Sequence, residues 1–155
     1  MGATEDRLAE LGYTLQKAPA PLATYEPYSR TGNLIYTAGH IPWSDDLKAP
    51  IQGKVGEAYT AEQGAEYAKR CCIHLLATLS EALGGELDKI VRVVKVVGFV
   101  NCTDSFTNHP EVINGCSNML GEVLGERGKH ARSAVGVNSL PRGIPVEIEM
   151  IVEVA

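Results

Sequence analysis

His130-Ala131-Arg132-Ser133-Ala134-Val135-Gly136-Val137-Asn138-Ser139-Leu140-Pro141-Arg142-Gly143-Ile144-Pro145-Val146-Glu147-Ile148-Glu149 is the most informative stretch of this 155-residue chain. It reads as an alternating strand, a Pro/Gly turn and a second alternating strand, because successive strand side chains point to opposite faces. In the first strand Val135 and Val137 share one face, while Arg132, Ala134 and Gly136 share the other. In the second, Val146, Ile148, Met150, Val152 and Val154 oppose Glu147, Glu149, Ile151 and Glu153. With the valines taken as core, Arg132 stands on the opposite face. A hairpin turn over 140–145 would bring Arg132 and Glu147 to one side. A guanidinium fork on a rigid strand suits a small carboxylate, and Glu147 would orient or deprotonate a water. A purely structural Arg132–Glu147 ion pair fits the same facing equally well.

Working outward, the segment 90–101 is a strand that is apolar on both faces, with Val91, Val93, Val97 and Phe99 opposite Val94, Val96 and Val100. A helix begins near Pro110, and Val112, Ile113, Cys116, Met119, Leu120, Val123 and Leu124 form its apolar face. Gly115 and Gly121 are expected to weaken it by about 1 kcal/mol each relative to alanine. A longer helix starts at the Thr60–Gln63 capping box and stops at Gly84-Gly85. Ahead of it lie a loop over 43–59 and a strand over 33–38. The segment 13–27 holds Pro19, Pro21 and Pro27 and reads as loop or edge strand. A short helix over 4–11 has Thr4 as its expected cap and Gly12 as its stop. The expected order is β-β-α-β-α-β-β after a minor N-terminal helix. Residues 1–19 form an N-terminal helical extension and 20–155 a single domain.

Two helices can cover only one face of one sheet. The other face keeps valines, so an interface with further copies of the chain is expected there. Apolar residues at 45% are enough for one core. A net charge of −5 argues against a partner bound through its phosphates. No run is long enough to span a membrane, and the acidic start does not read as a signal peptide. The four cysteines lack C-x-x-C spacing and the four histidines lack metal-ligand spacing. Free thiols in a reducing, cytoplasmic setting and no metal site are expected.

Arg132-Ser-Ala-Val-Gly-Val-x-x-Leu-Pro-x-Gly-x-x-Val-Glu-Ile-Glu149 resembles the signature of the Rid (YjgF-like) family. Gly32-Asn33-Leu34-Ile35-Tyr36-Thr37-Ala38-Gly39-His40-Ile41-Pro42 resembles that family's early strand, and Val97-Gly98-Phe99-Val100 a later one. Val112-Ile113-Asn114 resembles the stretch that carries its pocket asparagine. The resemblance covers 20–155. It implies an α+β, chorismate-mutase-like fold: a mixed sheet with two helices on one face, assembled as a homotrimer with clefts between subunits. It also implies cofactor-free hydrolysis of reactive 2-imino or enamino acids to 2-keto acids and ammonia.

By resemblance Arg132 clamps the substrate carboxylate, Glu147 helps place the attacking water, and Tyr25 and Asn114 line the pocket. Three positions depart from the family pattern. Ala134 stands where typical deaminases carry cysteine, Ala38 replaces a serine, and His40 replaces a glutamine. These mark a divergent subgroup. The partner expected is a small carboxylate-bearing metabolite, with neither nucleic acid nor membrane. The alternatives are a trimer that binds such a metabolite without turnover and, least favoured by the acidic balance, an endoribonuclease or translation inhibitor. Outside this set, Cys102 ranks low because Asp104 beside it disfavours a thiolate.

Overall fold

Thr60 accepts the backbone N–H of Gln63, and the Gln63 side chain accepts the N–H of Thr60, so the expected capping box opens the longest helix. The computed structural model describes residues 2–21 and 23–155. Its elements run α1 (Ala3–Glu10), β1 (Tyr28–Thr31), β2 (Leu34–Thr37), α2 (Ala61–Ala82), β3 (Ile90–Asn101), α3 (His109–Leu124), β4 (Ala131–Val137) and β5 (Val146–Val154). The order is the expected one, but the first strand lies beyond 13–27. It pairs with β2 across a two-residue turn where Gly32, at φ +56°, supplies the positive dihedral such turns need.

One mixed five-stranded sheet results, ordered β1-β2-β5-β3-β4. Neighbours are antiparallel except β3 and β4, which are parallel. The expected hairpin between the last two strands does not form. A parallel neighbour needs a crossover connection, and α3 supplies it between β3 and β4. The segment 140–145 then carries the chain past β3 to the middle of the sheet. It is pinned there by Asn101, whose side-chain amide donates to Ile144 O and whose backbone N–H donates to Pro145 O.

Helices α2 and α3 cover one face. Beneath them Val146, Ile148, Met150 and Val152 of β5 join Val96 and Val100 of β3 in the core, all essentially inaccessible. Each such side chain contributes about 1.5–3 kcal/mol by leaving water. The alternation expected along β3 breaks at its start. Register shifts between Ile90 and Arg92 and between Val93 and Lys95 turn Val93 into the core with Val96, away from Val97.

Helix α1 packs against α3, and its cap differs from expectation. Gly2 is the N-cap. Thr4 is buried inside the first turn, where its hydroxyl donates to Asp88. The Asp88 carboxylate also accepts the N–H groups of Ala3 and Thr4 at 2.9 Å each. A carboxylate distant in sequence thus supplies the cap, which no local pattern announces.

The two α3 glycines part company. An added Cβ at Gly121 meets nothing within 4 Å, and the residue is exposed. Gly121→Ala is therefore expected to stabilise the fold by about 1 kcal/mol, read as a higher urea midpoint at unchanged slope. Gly115 instead sits directly against the backbone of α2.

Candidate functional site

Arg132 enters β4 beside Val96 of β3. Parallel partners point the same way, so Arg132, Ala134 and Gly136 face the helices with Val96, Gly98 and Val100. Val135 is left on the bare face, 42% exposed. This reverses the expected facing. The reason is space: an added Cβ at Gly136 would strike His109, and one at Gly98 would strike Ile113, so α3 lies too close for bulky side chains on this edge. The valines take the other side.

The guanidinium of Arg132 lies over the start of α3. Its Nη1 donates to Asn114 Oδ1 at 2.8 Å and Ser117 Oγ at 3.1 Å, and its Nη2 to Pro110 O at 3.3 Å. All three acceptors are neutral, and no carboxylate lies within ion-pair distance among the described residues. Arginine has five donors, so among the described residues Nε–H and one Nη2 proton are left without a partner. The charge is oriented without being neutralised, which is what an anion-binding fork requires. His130 extends the network, with one ring nitrogen on Gly128 O at 2.6 Å and the other on Ser117 Oγ at 2.9 Å. Sequence reading missed Ser117, although it lies three residues after Asn114 and so on the same helical face.

Glu147 does not join this group. It is on the bare face of β5, beside Phe99 of β3. Strand β3 separates β5 from β4, so the carboxylate and the guanidinium are about 10 Å apart across the strands alone, and they project from opposite faces. An ion pair within one chain is ruled out along with the shared cleft.

Glu147 belongs to a second cluster. A cavity of about 990 Å³ is lined by Tyr25, Ala38, His40, Arg142 and Glu147, among others. Gly39 makes room for the carboxylate, whose Cγ would lie 2.9 Å from a Cβ there. Burial, and secondarily the charge of Glu149, pushes the Glu147 carboxyl above its ordinary value. His40 is buried, with one ring nitrogen 2.8 Å from Ala38 O and the other 2.7 Å from Thr78 Oγ1. Burial pulls its pKa down, so the neutral ring donates to the carbonyl and accepts from the hydroxyl. It walls the cavity with no ring nitrogen to spare. Tyr25 is 53% exposed at the cavity mouth.

The seven anticipated positions therefore fall into two sets. Arg132, Asn114 and Ala134 lie at the β4 edge with α3. Tyr25, Ala38, His40 and Glu147 lie around the cavity. Between them runs the bare sheet face, with Val97, Phe99, Val135, Tyr36 and Ile151 exposed or half-buried.

Residues 5–147 match the family model described as "YjgF/chorismate_mutase-like, putative endoribonuclease". The chain is 37% identical to protein TCP17 of Trypanosoma cruzi over 153 residues, covering 98% of this chain and 94% of that one. The crystal structure of Atu1372 from Agrobacterium tumefaciens superposes with a TM-score of 0.90 at 43% identity, covering 98% of this chain and 92% of that one. RidA from the Antarctic bacterium Psychrobacter sp. superposes at 0.63 with 28% identity, covering 89% and 94%. The backbone agreement is thus much closer with Atu1372 than with RidA.

Proposed function

Because this chain belongs to the YjgF-like (Rid) family, we propose that it hydrolyses reactive 2-imino and enamino acids to 2-keto acids and ammonia. The reaction takes place, without a cofactor, in clefts between the subunits of a homotrimer. The observation that carries this reading is the guanidinium of Arg132, fixed by neutral acceptors with two donors unused. A small carboxylate completes that fork.

The division of the site supports the assembly. Arg132 and Glu147 of one chain cannot meet, but Arg132 stands on the edge strand β4, so a second copy packed on the bare sheet face and past that edge can bring its Glu147 towards Arg132. The apolar residues of that face supply the reason to associate. In the completed cleft Arg132 and Asn114 hold the substrate carboxylate end. Glu147 of the partner subunit orients the water whose oxygen attacks C2, and the protonated nitrogen leaves as ammonia. Tyr25, Ala38 and His40 shape the wall. Imine hydrolysis needs a held carboxylate and a placed water rather than a nucleophilic side chain, so Ala134 and Ala38 do not forbid it. Four free cysteines suit a reducing, cytoplasmic setting. A net charge of −5 disfavours an RNA substrate.

The test is release of 2-keto acid from 2-aminoacrylate generated in solution, with the native mass measured alongside. Faster release than in buffer, by a species of three chains, is the expected result. Thermal stabilisation by a small 2-keto acid without faster release would mark a binding protein instead. A stable monomer would end the cleft reading. Turnover should also fall on acidification, with a midpoint above the ordinary carboxylate value of 4.5. Burial raises the Glu147 carboxyl, and its ionised form is the stronger acceptor for the water O–H and the form that can take a proton from the water as the oxygen attacks C2. The kcat/KM profile against pH reads this directly.

A further inference from the structure

Cys102 and His109 form a pair that the proposed reaction does not use. Cys102 follows the last residue of β3, and His109 is the first residue of α3. The thiol Sγ lies 3.4 Å from His109 Nε2. The imidazole is set edge-on against Phe106, with ring centroids 5.6 Å apart and planes at 81°. Gly136 of β4 is what lets the two meet. A Cβ there would lie 2.9 Å from the sulfur and would collide with Nε2. The pair opens onto a separate cavity of about 270 Å³, lined also by Thr103, Phe106, Val137 and Asn138. Cys71, Cys72 and Cys116 are fully inaccessible in the helical core. Cys102 is the cysteine among these four that reaches a cavity.

We propose that Cys102 is a reactive centre distinct from the Arg132 site, a nucleophilic thiol with His109 as its base, that takes small α,β-unsaturated carbonyl compounds. The thiol proton passes to His109 Nε2 as sulfur attacks the β-carbon. A C–S bond forms, the π electrons of the C=C bond move to the α-carbon, and that carbon takes the proton back from His109. Atoms and electrons balance with no oxidant or metal. At about 270 Å³ the cavity admits a molecule of roughly ten heavy atoms, given that about 150 Å³ holds benzene, and this sets the size class.

A nearby base is what the site needs. Burial raises the Cys102 thiol, and the charge of Asp104 adds to this, while the charge of Lys54 opposes it. The resting group is a protonated thiol, and a protonated thiol is a poor nucleophile without a proton acceptor at hand.

The experiment treats the intact native chain with acrylamide and maps adducts by peptide mass. The expected result is a single adduct at Cys102, formed at least as fast as on the same chain unfolded in urea. His109→Gln, with an unchanged melting temperature, should slow it by at least about tenfold, and Cys102→Ser should abolish it. Native labelling of Cys102 more than tenfold slower than in urea would overturn the proposal. So would an unaltered rate in a folded His109→Gln variant. Keto-acid release can be followed in the same Cys102→Ser sample, and its survival would show the two sites to be separate.

Discussion

Arg132→Ala is expected to lower keto-acid release by about a hundredfold to a thousandfold while the chain stays folded. Two charge-assisted hydrogen bonds to a carboxylate are worth about 3–5 kcal/mol together when desolvated, and each 1.4 kcal/mol is tenfold in rate. The fold should survive because the groups that lose a partner are not stranded. Asn114 and Ser117 are only half-buried, Ser117 keeps His130, and Pro110 is exposed. Arg132→Lys keeps the charge but replaces a planar fork with a single ammonium, so most of the loss should remain. Steady-state rates over a range of substrate concentration read both variants. Release unchanged in Arg132→Ala would remove this residue from the site.

Gly115→Ala is expected to cost about 2–3 kcal/mol of stability, the reverse of what helix propensity alone predicts. An added Cβ would lie far inside contact distance of the Ala65 carbonyl oxygen, and its next neighbours are the Ala65 carbonyl carbon at 2.7 Å and Cα at 3.0 Å. These are backbone atoms of α2, so no rotamer change relieves the clash. The two helices must separate, and the interface they share contains Cys72 and Cys116, both fully buried. Overpacking of this kind typically costs about 1–3 kcal/mol. For a domain of this size the melting temperature should drop by roughly 5–10 °C. Gly121→Ala, six residues along the same helix, should move it the other way. A Gly115→Ala chain as stable as the parent would mean that α2 and α3 do not approach as closely as described.

The opposite signs at Gly115 and Gly121 mark where sequence reading stops. Propensity is a property of the residue and its immediate turn, so both glycines look alike in the chain. Only the neighbouring helix distinguishes them. Asp88 teaches the same point at the N-terminus. Thr4 is the right residue type to cap a helix, but the carboxylate that caps α1 arrives from the turn before β3.

The candidate site was legible to a similar depth. The signature singled out Arg132 and Glu147 as candidates, and the alternation along β4 correctly grouped Arg132 with Ala134 and Gly136. The choice of which group meets the core was read from hydrophobicity and came out reversed. Valines usually mark the buried face. Here the helix face of an edge strand is the crowded one, and the valines lie on the bare face. The Cys102–His109 pair was hidden for a related reason, since its two members are brought together by the gap at Gly136 on a third element.

Signals that act within a turn or a pleat are written in the chain itself: the capping box at Thr60, the stop at Gly84-Gly85, the span of β3, the α+β order and the family signature. Strand neighbours are not, because pairing partners are chosen by the collapse of the whole core. The insertion of β5 between β2 and β3 left Glu147 and Arg132 on strands that are not neighbours, and on different faces. A local pattern has a range of about four residues, and the placement of those two charges depended on contacts many times more distant.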